Sequence, residues 1–230
     1  MNSKNIIALT GAGISAESGI KTFRDSGGLW EEYDVMDVAS IEGWHKNKDL
    51  VQRFYNERRK ALETAEPNNA HKLLAKLEDK FNVEIITQNV DNLHERAGST
   101  NITHLHGELT KARSSQNLFQ IYEIGYRPIE PGEKAEDGSI LRPHIVWFGE
   151  AVPLIETAAK KVQTADILII IGTSLNVYPA AGLISYAPSN IPIYLIDPNE
   201  VNYAGNHKIT FIKDKASSGM QHLYEILLNE

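Results

Sequence analysis

Two histidines and a glutamate alternate through "THLHGEL" (103–109). In extended chain His104, His106 and Glu108 share a face. Such a set can bind a metal, or one imidazole can move a proton near neutral pH. A structural histidine is the plainer alternative. Just upstream, "TQNVDNLHERAG" (87–98) offers the amides of Gln88 and Asn89 and the carboxylate of Asp91. These are either ligand groups or the cap of a helix beginning there, with Asn89 or Asp91 as the capping side chain. A third set, "GAGISAESGIKTFRD" (11–25), follows an apolar run. Gly11 and Gly13 fit the first two glycines of a dinucleotide fingerprint and Ala16 the small third position, so a pyrophosphate could rest on a helix N-terminus. A tight strand–helix turn is the competing reading. Phe23, Arg24 and Asp25 then stand where an ordinary dinucleotide fold would run on to a second strand, which suggests a lid over the site.

These groups need a frame. Ile6–Thr10, Val83–Thr87, Ile167–Ile171 and Ile193–Ile196 are near-continuous β-branched runs, as in parallel strands covered on both faces. "NITHLH" (101–106) and "KITFI" (208–212) are weaker strands. Helices are expected over 67–80, 152–165 and 217–230. The alternation gives an α/β fold: a doubly wound parallel-sheet, Rossmann-like large domain with a small inserted domain. The division expected is 1–25, 67–106 and 143–230 for the nucleotide-binding domain. Residues 26–66 and 107–142 supply the small domain and the cofactor and substrate loops. Ligands in such sheets bind at the carboxyl ends of strands. The quoted stretches start there, and so does "GTSLNVYPAAG" (172–182).

Composition narrows the classes. The 230 residues carry a net charge of −7 and no cysteine. Thiol catalysis, disulfides and thiolate metal sites are excluded, and nonspecific attraction to nucleic acid or anionic membrane is not expected. No apolar stretch reaches the ~20 residues of a membrane span, and the first apolar run is too short for a signal peptide. A cytoplasmic location is expected.

The blocks "GAGISAESGI", "TFRD", "TQNVDNLHERAG", "HLHGEL", "RPHIVWFGE" and "GTSLNVYPAAG", in this order and spacing, resemble the sirtuin family, and the bacterial sirtuins most. The resemblance implies an NAD-dependent protein-lysine deacylase that yields nicotinamide and O-acyl-ADP-ribose. It assigns catalysis to His106, the general base, with Asn89 and Arg24. It gives Gly11, Ala12, Gly13 and Ser15 to the pyrophosphate, and Phe23 and Arg24 to the nicotinamide ribose. Gln88, Asn89, Val90 and Asp91 go to the nicotinamide pocket. Gly172, Thr173, Ser174, Asp197, Pro198, Asn199 and Ala216 would meet the phosphate and adenosine side. Val146, Phe148, Gly149 and Glu150 would form the acyl-lysine tunnel and pair with substrate backbone.

Tyr55 and Arg58, three apart in "RFYNERRKAL" (53–62), share a helix face. Alone they read equally as a solvated charged face. In the family, a Tyr-x-x-Arg pair here marks enzymes that accept malonyl- and succinyl-lysine, with arginine on the acyl carboxylate. The chain departs from the family in lacking the four zinc cysteines, with Ser114 or Ser115 where the first pair would begin. No zinc site is expected, which leaves packing alone to hold the small domain. Asp197 stands where asparagine is usual. An NAD glycohydrolase or ADP-ribosyltransferase, a noncatalytic NAD-binding module and a metal enzyme built on His104, His106 and Glu108 remain as alternatives.

Overall fold

The computed structural model describes residues 3–22, 33–173, 175, 180–201, 203 and 205–229. Among the described residues, nine strands form two sheets. The larger holds β1 (Asn5–Thr10), β2 (Asn82–Thr87), β3 (Ile102–His104), β7 (Ile167–Ile171), β8 (Ile193–Ile196) and β9 (Ile209–Ile212). All six run parallel, in the order β3-β2-β1-β7-β8-β9. Chain order reverses between β1 and β7, which opens a crevice at their carboxyl ends.

The apolar runs read from the sequence become buried strands because both faces are covered. Ile6 and Ala8 pack on one side with α5 (Asn69–Leu77) and α8 (Ala216–Leu228), through Leu74, Leu77, Met220 and Leu223. Ile7 and Leu9 point the other way, toward α7 (Ile155–Val162) and the 3₁₀ turn Ala180–Tyr186. With a two-residue period, every position of such a strand must be apolar. The helices are shorter than the sequence patterns that announced them. Asn68, not Pro67, starts α5: its side chain accepts the Ala70 amide at 2.9 Å.

The small sheet is antiparallel, order β5-β4-β6, from β4 (Gly107–Ser114), β5 (Ile121–Glu123) and β6 (Leu141–Ile145). Pro143 lies within β6, at the edge of this sheet. An edge strand tolerates the missing amide. After the short α1 (Ala12–Ala16) that follows β1, the helices α2 (Val35–Val38), α3 (Ile41–Lys46) and the long α4 (Lys48–Thr64) run between the sheets. Val51, Phe54, Tyr55 and Leu62 of α4 share a core with Trp44, Leu109 and Trp147. Buried Arg59 ties α4 to β4 by donating from Nε to the Leu109 carbonyl at 2.6 Å.

Packing alone does not hold the small sheet, contrary to the expectation from the missing cysteines. The buried hydroxyl of Ser114 donates to Asp137 Oδ2 at 2.5 Å and lies 2.8 Å from Ser139 Oγ. It also accepts the amides of Gln116 and Asn117 at 3.0 and 2.8 Å. Asp137 Oδ1 accepts the Ser139 amide. One hydroxyl thereby joins two loops. Among the described residues, no helix is long and apolar enough to cross a membrane.

Candidate active site

A cavity of about 800 Å³ runs across the crevice and out between the sheets. Gly11, Ala12, Gly13, Gly172 and Thr173 form its floor, and Asp197, Pro198, Asn199 and Ala216 one end. Gln88, Asn89, Val90 and His106 stand at its centre. Tyr55, Arg58, Val146, Trp147, Phe148, Gly149 and Glu150 line the other end. Ser15 and Asp91 face an adjoining cavity of about 310 Å³, which shares Arg58, Asn89 and Val90 with the first. Phe23, Arg24 and Ser174 lie outside the described residues.

The floor is built by backbone approach. The Gly11 amide donates to Ile171 O and the Gly13 amide to Gly172 O, at 3.0 and 2.9 Å. A Cβ on Gly11 or Gly13 would come within 2.7 Å of Gly172 backbone atoms. Gly172 has φ +62°, and a Cβ there would meet the Ile14 amide at 2.3 Å. These glycines are needed first so that the loops after β1 and β7 can touch. The bare surface this leaves is what a pyrophosphate requires, so the residues present suit a dinucleotide. Behind the floor, Ser15 Oγ donates to Asp91 Oδ2 at 2.9 Å and accepts from Asn89 Nδ2 at 3.2 Å. Asn89 Nδ2 also reaches Gly11 O at 3.1 Å. Burial pushes the Asp91 carboxyl upward, opposed by the Leu93 amide, Ser15 and the charge of His104. The helix that follows, α6 (Leu93–Ala97), has Asn92 and not Asn89 or Asp91 at its N-cap, but Asp91 Oδ1 accepts the Leu93 amide at its start.

His106 Nδ1 faces the Gln88 carbonyl at 3.0 Å. That oxygen only accepts, so Nδ1 carries the proton and Nε2 presents a lone pair to the cavity. Burial lowers the His106 pKa, partly offset by the Gln88 bond, so the ring is neutral at pH 7. The metal set imagined from His104, His106 and Glu108 does not assemble, because His106 turns away to Gln88. Glu95, His104 and Glu108 do bring one ligand atom each within 4.8 Å. However, His104 already meets Glu95 at 2.7 Å and the Asn89 carbonyl at 3.1 Å, and Lys111 meets Glu108 at 2.8 Å. The group is an ion-pair network.

At the far end, the helix places Tyr55 and Arg58 side by side as the spacing requires. Neighbouring Arg53 is exposed while Arg59 is buried, so the face is not simply a solvated one. Tyr55 Oη accepts from Trp147 Nε1 at 3.0 Å, which leaves its own proton to donate. Burial pushes Tyr55 up to about 12, so it remains a phenol. Arg58 lies with its guanidinium 5.5 Å from the Phe54 ring centroid. Burial lowers it, while Tyr55 and Asp91 favour the cation. Glu150 is committed elsewhere: both its oxygens accept from Arg113 and Arg142, and Oε2 also accepts the Trp147 amide. The Arg142 guanidinium stacks 3.4 Å from the Trp147 ring centroid. The sequence reading missed Trp147, Arg113 and Arg142. The only signal lay in the quoted "RPHIVWFGE", whose arginine and tryptophan went unassigned.

A model of the Sir2 family matches residues 11–179. An NAD-dependent protein deacylase of Bacteroides thetaiotaomicron is 55% identical over 230 residues, covering 98% of each chain. The structure of a Sir2 homologue in complex with NAD superposes with a TM-score of 0.88 at 38% identity, covering 99% of this chain and 90% of that one. A Sir2 structure with a deacetylated peptide and 3′-O-acetyl ADP ribose gives a TM-score of 0.82 at 30% identity, covering 97% of this chain and 94% of that one. With 169 consecutive positions matched and relatives aligned end to end, this chain belongs to the Sir2 family, the sirtuins.

Proposed function

We propose that this protein is an NAD-dependent protein-lysine deacylase that removes acetyl, succinyl and malonyl groups and releases nicotinamide and O-acyl-ADP-ribose. The observation that carries the reading is one continuous cavity. It joins a glycine floor, a neutral imidazole with a bare Nε2, and a Tyr–Arg pair. Bound NAD supplies the anomeric carbon that an amide oxygen attacks and the ribose that accepts the acyl group.

The chain's own residues do the rest. Gly11, Ala12, Gly13, Gly172 and Thr173 admit the pyrophosphate, and residues 197–199 with Ala216 border the adenosine. Ser15 acts from behind the floor by holding Asn89 and Asp91. Gln88, Asn89, Val90 and Asp91 shape the nicotinamide pocket, with Phe23, Arg24 and Ser174 assigned on sequence alone. His106 Nε2 takes a proton from the ribose hydroxyls, a role for which a neutral ring is required. Val146, Phe148 and Gly149 wall the lysine tunnel. Glu150 shapes that wall indirectly, by fixing the Trp147 amide. Arg58 receives the acyl carboxylate of succinyl- or malonyl-lysine as an ion pair, with Tyr55 donating beside it. The partners are acyl-lysine proteins in the cytoplasm, and a net charge of −7 disfavours nucleic acid.

The test is mass spectrometry of acetyl- and succinyl-lysine peptides, with and without NAD, on wild type and His106→Ala. Deacylation that needs both NAD and His106 is expected. Nicotinamide released equally without peptide would instead indicate a glycohydrolase and overturn the reading.

A further inference from the structure

We propose that His104, locked by Glu95, is a positioning residue that pins the Asn89 peptide in the cofactor site; this rests on the reading of the cavity as an NAD site. The segment after β2 crosses the cavity centre with three consecutive carbonyls, and residues 104–109 hold each of them. His106 Nδ1 holds Gln88 O at 3.0 Å, His104 Nδ1 holds Asn89 O at 3.1 Å, and the Leu109 amide holds Val90 O at 2.7 Å. The Asn89 side chain is therefore presented to Gly11 O and Ser15 Oγ from a peptide plane that cannot rotate.

The two histidines share one local geometry and differ in what meets Nε2. For His106 no described residue does, so it is free to take a proton. For His104 it is the Glu95 carboxylate at 2.7 Å. Carbonyl and carboxylate oxygens both accept, so both ring nitrogens of His104 donate and the ring is a cation. The charged and titratable groups around it are His94 and Glu95 from α6, Glu108 and Lys111 from β4, and Asp91 just before α6. Burial opposes the charge, but the Glu95 and Glu108 carboxylates and the Asn89 carbonyl outweigh it and raise the His104 pKa. The cation in turn favours ionised Asp91 and neutral His94. One ring thus fixes a backbone plane and biases the charge of the neighbouring pocket carboxylate.

The experiment compares wild type, His104→Phe, Glu95→Ala and Glu95→Gln by steady-state kinetics with NAD and an acetyl-lysine peptide. NAD titration calorimetry and histidine NMR accompany it. Loss of one charge-assisted hydrogen bond should raise KM for NAD in His104→Phe by about tenfold, with kcat changed less than about threefold. The acid limb due to His106 should not move. Glu95→Gln keeps a partner for Nε2 and should stay near wild type, whereas Glu95→Ala should fall between. The His104 resonances should report an imidazolium at pH 7. Wild-type KM for NAD in folded His104→Phe would overturn the proposal, as would a neutral His104 with Glu95 intact. Should His104→Phe not fold, Glu95→Ala and the NMR titration decide. Failure of the wild type to bind NAD would instead defeat the cavity assignment, and the NMR state of His104 reads the clamp separately.

Discussion

Trp147 and Tyr55, 92 residues apart, share one hydrogen bond: the indole Nε1 donates to the phenol oxygen at 3.0 Å. The bond uses the phenol oxygen as acceptor and leaves its proton to donate, in a cavity that Tyr55 and Arg58 both line. This end of the cavity thereby holds a donor pair suited to an anion.

The first prediction follows from that pair. Arg58→Met should lower kcat/KM for succinyl-lysine peptide by about a hundredfold or more, as expected when a buried charge-assisted pair is lost. Acetyl-lysine should change by less than about threefold. Tyr55→Phe should cost succinyl-lysine about tenfold, one neutral hydrogen bond. Peptide kinetics with both acyl groups checks this, and equal loss for the two would refute the assignment.

His106 is held below the ordinary histidine value by burial. Its basic form therefore persists to more acidic pH. The acid limb of kcat/KM should fall below pH ~6.5, with activity lost as pH drops through the depressed pKa. His106→Ala should reduce turnover by roughly 10²–10⁴-fold. A limb unchanged in the residual activity of His106→Ala would mean another group titrates.

Buried His71 is pushed to about 4 by desolvation, and its ring stacks edge-on to His94 at 4.9 Å. The unfolded chain binds a proton near 6.5 that the folded ring refuses until about 4. Stability is therefore whole above 6.5 and declines as pH falls across that window, by about 3 kcal/mol. Urea unfolding at stepped pH should show a shallower decline in His71→Leu than in wild type.

Ser114→Ala removes a hydroxyl that four partners share. It should cost about 1–3 kcal/mol, or several degrees of Tm for a chain of this size. Chelator should leave the wild-type Tm unchanged. Scanning calorimetry distinguishes the hydrogen-bonded knot from any metal.

Gly172→Ala would drive a methyl group into the Ile14 amide at a backbone with φ +62°. NAD affinity should fall by at least about tenfold, and Tm with it. Calorimetric NAD binding at the wild-type constant would show that the two loops can part without harm.

Much of the frame was legible because burial on both faces leaves one solution for a strand such as Ile167–Ile171: every residue apolar. The glycine turn could be placed because its motif follows a strand end, whereas His106 was singled out only by the family resemblance. The supporting contacts could not, since they join residues distant in sequence. Arg113 and Arg142 lie directly opposite in the β4–β6 register, two like charges that cohere only because Glu150 folds back onto both. Ser114 meets Asp137 from 23 positions away in the sequence, and nothing in "RSSQN" foretells it. Phe23, Arg24 and Ser174, read from motifs, fall outside the described residues.

The contact between Gly13 and Gly172 has a wider implication. Where two walls of a binding crevice meet through main chain, no change of rotamer can widen or narrow the gap. Evolution is then left with little freedom at the dinucleotide end. Diversification within such a scaffold is channelled to the opposite mouth, where helix and tryptophan side chains can be exchanged to admit new acyl groups while the cofactor stays the same.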